Sequence, residues 1–355
     1  MLISLALDSF KNHTNRSFSW GHRNILVWPN GSGKTNALEA VYLFVNAIPP
    51  PDRVFTQLLG TASWTLFLAG TFMKNNLPYN GRIGHSEGEW KVHFLSQESS
   101  ITRARHLEIM PLRAVLFSPM EMNILYLGPS LRRDFLDEAI LLAYPEFGKV
   151  KREYLLSLKN RNSLLKQIRE WTSSRDTLSL WDTLFVERAK VYYMYRKKLI
   201  DFIDRETSSI HALLEWKYTL SFRYATKISF DDVESSILGY LEDNRERDII
   251  TWHTYIGPHL DDFQYLVSGD TPSHSYLSRW ENKTILIGLK FILINFIEQS
   301  SQKETILLLD DLFSELDSEH IESILEKAWN RQLFITTQNI PSFLLDTGKY
   351  DFHNI

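Results

Sequence analysis

The 355-residue chain contains no cysteine. That excludes a disulfide framework, a thiolate metal site and a cysteine nucleophile, and it fits a reducing, cytoplasmic setting. Glycine is scarce at 15 residues, against a usual share of about 7%, whereas tryptophan is plentiful at 10. No uninterrupted apolar run reaches the roughly 18–20 residues of a membrane span. The best stretch, 284–297, is broken by Lys290 and Asn295, so no membrane partner is expected. A basic flank, an apolar run and a small-residue cleavage site do not follow one another at the N-terminus. A strong net charge is also lacking: 39 Lys and Arg against 43 Asp and Glu give −4, which by itself argues weakly against a nucleic-acid partner. What remains is an ordinary globular balance, 44% hydrophobic and 23% charged. The length suits two lobes or one large α/β domain with an insertion.

The charge is unevenly spread. Residues 149–205 hold 14 Lys or Arg and 7 acids, while 303–326 hold 8 acids and one Lys. Two solvated helical faces and a basic DNA track opposite an acidic segment are both open readings. Arg103 and Arg105 are further candidates for phosphate contact.

Apolar runs at 2–7, 24–27 and 112–117 predict strands, as does the alternation over 89–95, and 36–45 has helical spacing. From 129 to about 206 the pattern is helical with a single glycine, Gly148. A strictly alternating strand over 215–224 and a helix over 230–244 follow, without an internal repeat. The end returns to α/β: strands at 263–267, 305–309 and 333–336, helices at 278–298 and 319–329. The two ends must share one sheet. The expected plan is a head built from 1–128 and 251–355, with a mainly helical lobe over 129–250.

Residues 30–35, Asn-Gly-Ser-Gly-Lys-Thr, lie directly after a strand and before a helix. Such a loop turns backbone N–H groups and a helix N-terminus toward phosphate, with Lys34 reaching the β and γ phosphates and Thr35 binding Mg²⁺. The pattern G-x-x-x-x-G-K-[ST] asks for glycine at 28, where the chain has Trp28 followed by Pro29. A second segment, ETILLLDDLFSELD at 304–317, is a buried strand presenting Asp310 and Asp311 at its C-terminal end. Asp310 can hold Mg²⁺ and Asp311 can orient or deprotonate a water; a helix-capping aspartate pair is the alternative. The third segment is YLSRWENK at 276–283, where Ser278 and Glu281 spell a capping box. In order and position it also matches the signature of ATP-binding-cassette ATPases, usually L-S-x-G-Q, with Trp280 and Glu281 in the last two places.

Further segments join these three. They are Phe10-Lys11-Asn12, WPNGSGKTNALEAVY at 28–42, Phe117-Ser118-Pro119, Gly128-Pro129, RRDFLD at 132–137, LKNRN at 158–162, Trp181-Asp182 and GPHLDDF at 257–263. With them the chain resembles, almost end to end, the RecF family of recombination and gap-repair ATPases, relatives of the SMC proteins. The resemblance implies an α/β fold, an ABC-type (SMC-like) ATPase head with an inserted helical lobe. It implies an ATP-dependent homodimer that binds DNA and cooperates with RecR and RecO in loading RecA, within the SOS response to DNA damage. Its cofactors would be ATP and Mg²⁺. Each site would be composite. One subunit would give the phosphate loop (Trp28, Pro29, Asn30, Gly31, Ser32, Gly33, Lys34, Thr35, Asn36) with Asp310 and Asp311. The other would give Ser278, with Asp317 near the junction. For His259 two roles stay open, a surface or satisfied core residue or one that orders a loop near that junction.

The departures are as informative as the matches. Lys11 and Leu260 stand where the family usually has arginine, and Trp28 and Trp280 where it has glycine. Indoles where backbone must approach phosphate impair both halves of a composite site. Two accounts stay open. In one the chain is a degenerate, ATP-independent DNA-binding or scaffold relative. In the other the gene comes from an organism that reads a stop codon as glycine, and 28 and 280, with another among 20, 64 and 171, are glycines rendered as tryptophan.

Overall fold

The computed structural model describes all residues except 28–32, 52, 61–63, 86–92, 97–98, 214–217, 312–317, 339, 341–348 and 355. The chain forms two compact units, Met1–Met122 with Ile297–Ile355, and Asn123–Phe296. In chain order the first unit carries β1 (Leu2–Asp8), β2 (Arg16–Ser19), β3 (Arg23–Val27), α1 (Lys34–Asn46), β4 (Leu66–Lys74), β5 (Leu77–His85), β6 (His93–Ser96), β7 (Ser99–Ile101), α2 (Arg103–Ile109) and β8 (Leu112–Phe117). Next come α3 (Asn123–Tyr126), α4 (Pro129–Ala143), α5 (Phe147–Arg169), α6 (Leu178–Glu206), α7 (Ser208–Leu213), β9 (Leu220–Ala225), α8 (Val233–Asp243), α9 (Arg245–Thr251), β10 (Asp262–Val267), β11 (Thr271–Pro272) and α10 (Ser273–Tyr276). Helix α11 (Arg279–Ser301) runs into the closing stretch of β12 (Glu304–Leu309), α12 (Ser318–Lys327), β13 (Leu333–Thr337) and β14 (Asp351–Asn354).

In the first unit, β14-β3-β13-β12-β8 form a parallel sheet, so both ends of the chain share it as the sequence required. Apart from the edge strand β14, its strands are near-continuous apolar runs, the signature of a sheet covered on both faces. The other sheet, β2-β1-β4-β5-β6-β7, is antiparallel. Helix α1 touches β8 and β13 of one sheet and β4 of the other. It is buried from Ala37 to Asn46, its Leu38, Val41 and Val45 sharing a core with Leu5, Leu308 and Phe334. At about 1.5–3 kcal/mol for each fully buried aliphatic or aromatic side chain, this packing fixes where α1 begins. The β4–β5 hairpin turns on Asn75 and Asn76, both at positive φ (51° and 61°), as a type I′ turn demands.

In the second unit α5 packs on α6, and β11-β10-β9 form a small antiparallel sheet. The plan drawn from sequence placed a border at 250, but this unit keeps residues 251–296, since β10 pairs with β9 along its whole length. Of the alternation over 215–224, residues 215–217 lie outside the described residues, and β9 opens at Leu220, whose partner Val267 ends β10 just before the positive-φ pair Ser268 and Gly269. The helix expected from 230 starts at Val233, because the Asp232 side chain accepts from Ser235 N (3.0 Å) and caps it.

A buried ionic network holds this unit together. Arg161, fully buried, donates from Nε to Asp182 (2.8 Å) and from Nη1 to Asp248 (2.9 Å) and Thr254 Oγ1 (2.6 Å). Thr254 Oγ1 in turn donates to Asn162 (2.7 Å). Arg196, also fully buried, is paired with Asp137, which accepts from Tyr192 as well (2.5 Å). Arg132 grips Asp262 with Nε (2.5 Å) and Nη2 (2.9 Å). His259 lies between Tyr154 Oη (2.5 Å) and the Thr254 carbonyl (3.1 Å), and burial pushes its imidazole down to about 4.

Candidate functional site

The C-terminal ends of β3, β13, β12 and β8 stand side by side in sheet order, the edge at which open parallel sheets hold ligands. Helix α1 starts there after Gly33, whose φ of 104° suits glycine. A Cβ at Gly33 would lie 2.8 Å from Asn12 Nδ2 and 3.0 Å from His13 Nε2, so the approach is closed to any side chain. Gly33, Lys34, Thr35 and Asn36 line one side of a cavity of ≈ 370 Å³, with Asp310, Asp311, Thr336 and Pro119 on the other.

The Thr35 hydroxyl lies 2.9 and 3.1 Å from the two oxygens of Asp310, to which it donates. Thr336 Oγ1 donates to the same carboxylate (2.6 Å) and accepts from Asp311 N (3.0 Å). That second bond holds Asp311 at a φ of 49°. Burial raises the Asp310 carboxyl above its ordinary range against the two threonine hydrogen bonds, and the Asp311 and Glu39 charges add to the rise. Lys34 Nζ donates to the Thr337 carbonyl (3.3 Å); burial lowers this ammonium, and Asp311 and Asp310 counter the fall.

The first turn of α1 is anchored by the Phe10-Lys11-Asn12 segment. Lys11 Nζ donates to Glu39 and to Asn36 Oδ1 (3.2 Å), and Asn36 Nδ2 donates to Asn12 Oδ1 (2.7 Å). Arg53 Nε donates to the other oxygen of the buried Glu39 (2.9 Å). Nε2 of His13 lies 3.1 Å from the Gly33 carbonyl, to which the Nε2–H tautomer donates.

Of the residues singled out from sequence, Gly33, Lys34, Thr35, Asn36, Asp310 and Asp311 meet around this one cavity. Trp28, Pro29, Asn30, Gly31, Ser32 and Asp317 lie outside the described residues. Ser278 belongs to the second unit, where it caps α11: its N–H and hydroxyl donate to Glu281 Oε2 (2.9 and 2.6 Å), and Glu281 N donates back to Ser278 Oγ (3.4 Å). Thr336 escaped the sequence reading. Its signal was a pair of threonines closing an otherwise apolar strand, and nothing local tied them to the Asp310 strand 26 residues earlier. Pro119, from the Phe117-Ser118-Pro119 segment, lines the same cavity.

Much of the basic charge at 149–205 is used inside the second unit. Arg161 and Arg196 are buried, and Lys151, Arg175, Lys190 and Lys197 are paired with acids. Arg152 and Lys159, seven residues apart on α5, are exposed. In the first unit Arg105 pairs with Glu108 (2.9 Å).

No family model matches the chain. It is 29% identical over 362 residues to the DNA replication and repair protein RecF of Streptococcus suis (strain 05ZYH33), covering 96% of this chain and 93% of that protein. To the protein of that name from Ruminiclostridium cellulolyticum it is 28% identical over 349 residues, again covering 96% and 93%. Among solved structures, that of the recombination mediator protein RecF with ATP superposes with a TM-score of 0.86 at 24% identity, over 96% of this chain and 92% of that one. The chain therefore resembles RecF nearly end to end, and it shares the fold of the solved RecF structure, an α/β head with a mainly helical lobe.

Proposed function

We propose that this RecF-like chain is an ATP-binding, DNA-binding protein of replication and recombinational repair in the cytoplasm. The reading is carried by one observation: Lys34 and Thr35 at the start of α1 face Asp310 and Asp311 across one cavity at the C-terminal edge of the sheet. The first turn of α1 and Lys34 bind the triphosphate. The oxygen donors of Thr35 and Asp310, already in contact and mostly withdrawn from water, suit a hard cation such as Mg²⁺, which when bound neutralises phosphate charge. Asp311, turned by Thr336, accepts the proton of a water as its oxygen bonds to the γ-phosphorus and the bond to the departing ADP breaks.

Two heads close on ATP, with Ser278 of one completing the site of the other, and hydrolysis reopens them. RecR, RecO and RecA are the partners the resemblance offers, and Arg152 and Lys159 are proposed phosphate contacts on DNA. The test is equilibrium binding of ATP to the chain and to its Lys34→Ala variant. Micromolar binding lost in the variant supports the site; equal binding by both removes it. The second reading, an ATP-independent DNA-binding or scaffold protein, draws on Trp28 and Trp280. DNA retention unaltered by ATP would favour it.

A further inference from the structure

We infer that positions 28, 64, 171, 252 and 280 are glycine in the protein the cell makes, because one codon written here as tryptophan is decoded as glycine. Of the seven tryptophans among the described residues, Trp64, Trp171 and Trp252 have φ of 50°, 63° and 55°. Bulky side chains are genuine outliers in this left-handed region, which glycine occupies freely.

Each of the three sits where a glycine has a job. Trp171 follows the last residues of α5: Thr172 N donates to Gln167 O (2.9 Å) and Trp171 N to Ile168 O (3.1 Å). That is the bond pair of a Schellman motif, with Trp171 at the C′ position that glycine most often fills. Trp252 ends α9 in the same left-handed conformation, its N–H donating to Ile249 O (3.3 Å). At Trp64 the backbone N–H donates to Gly60 O (3.1 Å), beside the bond from Gly60 N to Thr65 O (3.0 Å). Trp171 and Trp64 are 91% and 60% exposed, so their indoles bury little in return for the strained backbone; Trp252, 41% exposed with Lys166 Nζ 5.4 Å from its ring, joins them on its backbone conformation.

Other tryptophans behave as tryptophan should. Trp20 is buried, stacked on Phe18 (4.9 Å) and edge-on to Phe334. Trp181 packs against the Leu164, Leu165 and Ile168 cluster, and Trp329 carries the Arg23 guanidinium on its ring (3.0 Å). The split removes Trp20 from the positions the sequence had offered for recoding and adds Trp252. Positions 28 and 280 join on different grounds, since there the motif itself asks for glycine, and for those two the inference rests on the proposed nucleotide site. One recoded codon accounts for both groups and for part of the glycine shortage.

Tryptic peptide masses of the protein isolated from its source organism test this directly. Peptides 24–34, 54–74, 170–175, 248–279 and 280–283 each contain one of the five positions and no other tryptophan. Each is expected to be lighter by one indolylmethyl group replaced by hydrogen. The control peptides 17–23 and 176–188, with Trp20 and Trp181, are expected to keep tryptophan masses. Tryptophan at any of 64, 171 and 252, or glycine at 20 or 181, overturns the inference. The masses of peptides 54–74, 170–175 and 248–279 do not depend on ATP, so a failed nucleotide site and a failed recoding are told apart.

Discussion

Replacing Thr336 by valine keeps shape and volume and removes one oxygen. That oxygen donates to Asp310 at 2.6 Å and accepts from Asp311 N at 3.0 Å, with Thr336 fully buried. A hydrogen bond to a charged group contributes about 1.5–3 kcal/mol, and an orphaned buried N–H costs roughly another 1 kcal/mol. Thr336→Val should therefore destabilise the first unit by ~2–4 kcal/mol, a fall of roughly 5–15 °C in its melting temperature. Asp311 also loses a contact to its left-handed turn, so kcat for ATP should fall by about tenfold or more while KM changes little. Thermal unfolding followed by circular dichroism and steady-state ATPase assays read the two effects. Thr336→Ser is the control, because it restores the hydroxyl and should recover most of both. A valine variant within 0.5 kcal/mol of the parent and equally active would refute the reasoning.

The buried network of the second unit makes a separate prediction: Arg161→Ala leaves Asp182 and Asp248 without their shared cation and should cost about 3–5 kcal/mol in denaturant unfolding. His106 and His259 are both pushed down to about 4 by burial, so the folded chain keeps them neutral while the unfolded chain protonates them near 6.5. Stability from this source is complete above pH 7 and is lost as pH falls from 6.5 toward 4, by about 2 kcal/mol per histidine at pH 5; a His259→Asn variant should lose less between pH 7 and 5 than the parent. Reversing charge at Arg152 and Lys159 together should weaken DNA binding and lower the slope of log affinity against log salt by roughly 0.9 per lost phosphate contact. Unchanged affinity and slope would remove α5 as the DNA track.

The parallel strands were legible because a sheet covered on both faces demands unbroken apolar runs, and 24–27, 112–117, 305–309 and 333–336 all fell within strands. Lys34 with Asp310 was legible because chain order and strand-end chemistry both pointed to one sheet edge. Segments matched only by resemblance meet in space: Arg161 holds Asp182 directly and reaches Asn162 through Thr254, and, separately, Arg132 of one motif holds Asp262 of another. The β4–β5 hairpin was missed although Asn75-Asn76 could have announced it, since its flanking residues mix glycine, proline and polar groups. Strand β14 has only four residues and owes its conformation to β3 alongside. Thr336 acts through a neighbouring strand, a relation that no local pattern encodes.

If ATP at the Lys34–Asp310–Asp311 site gates association, sedimentation velocity of an Asp311→Asn variant will show it. A monomer without nucleotide and a lasting dimer with ATP are expected, while the parent returns to monomer as ATP is consumed. A variant that binds ATP yet sediments as the same species with and without it would refute ATP-gated association.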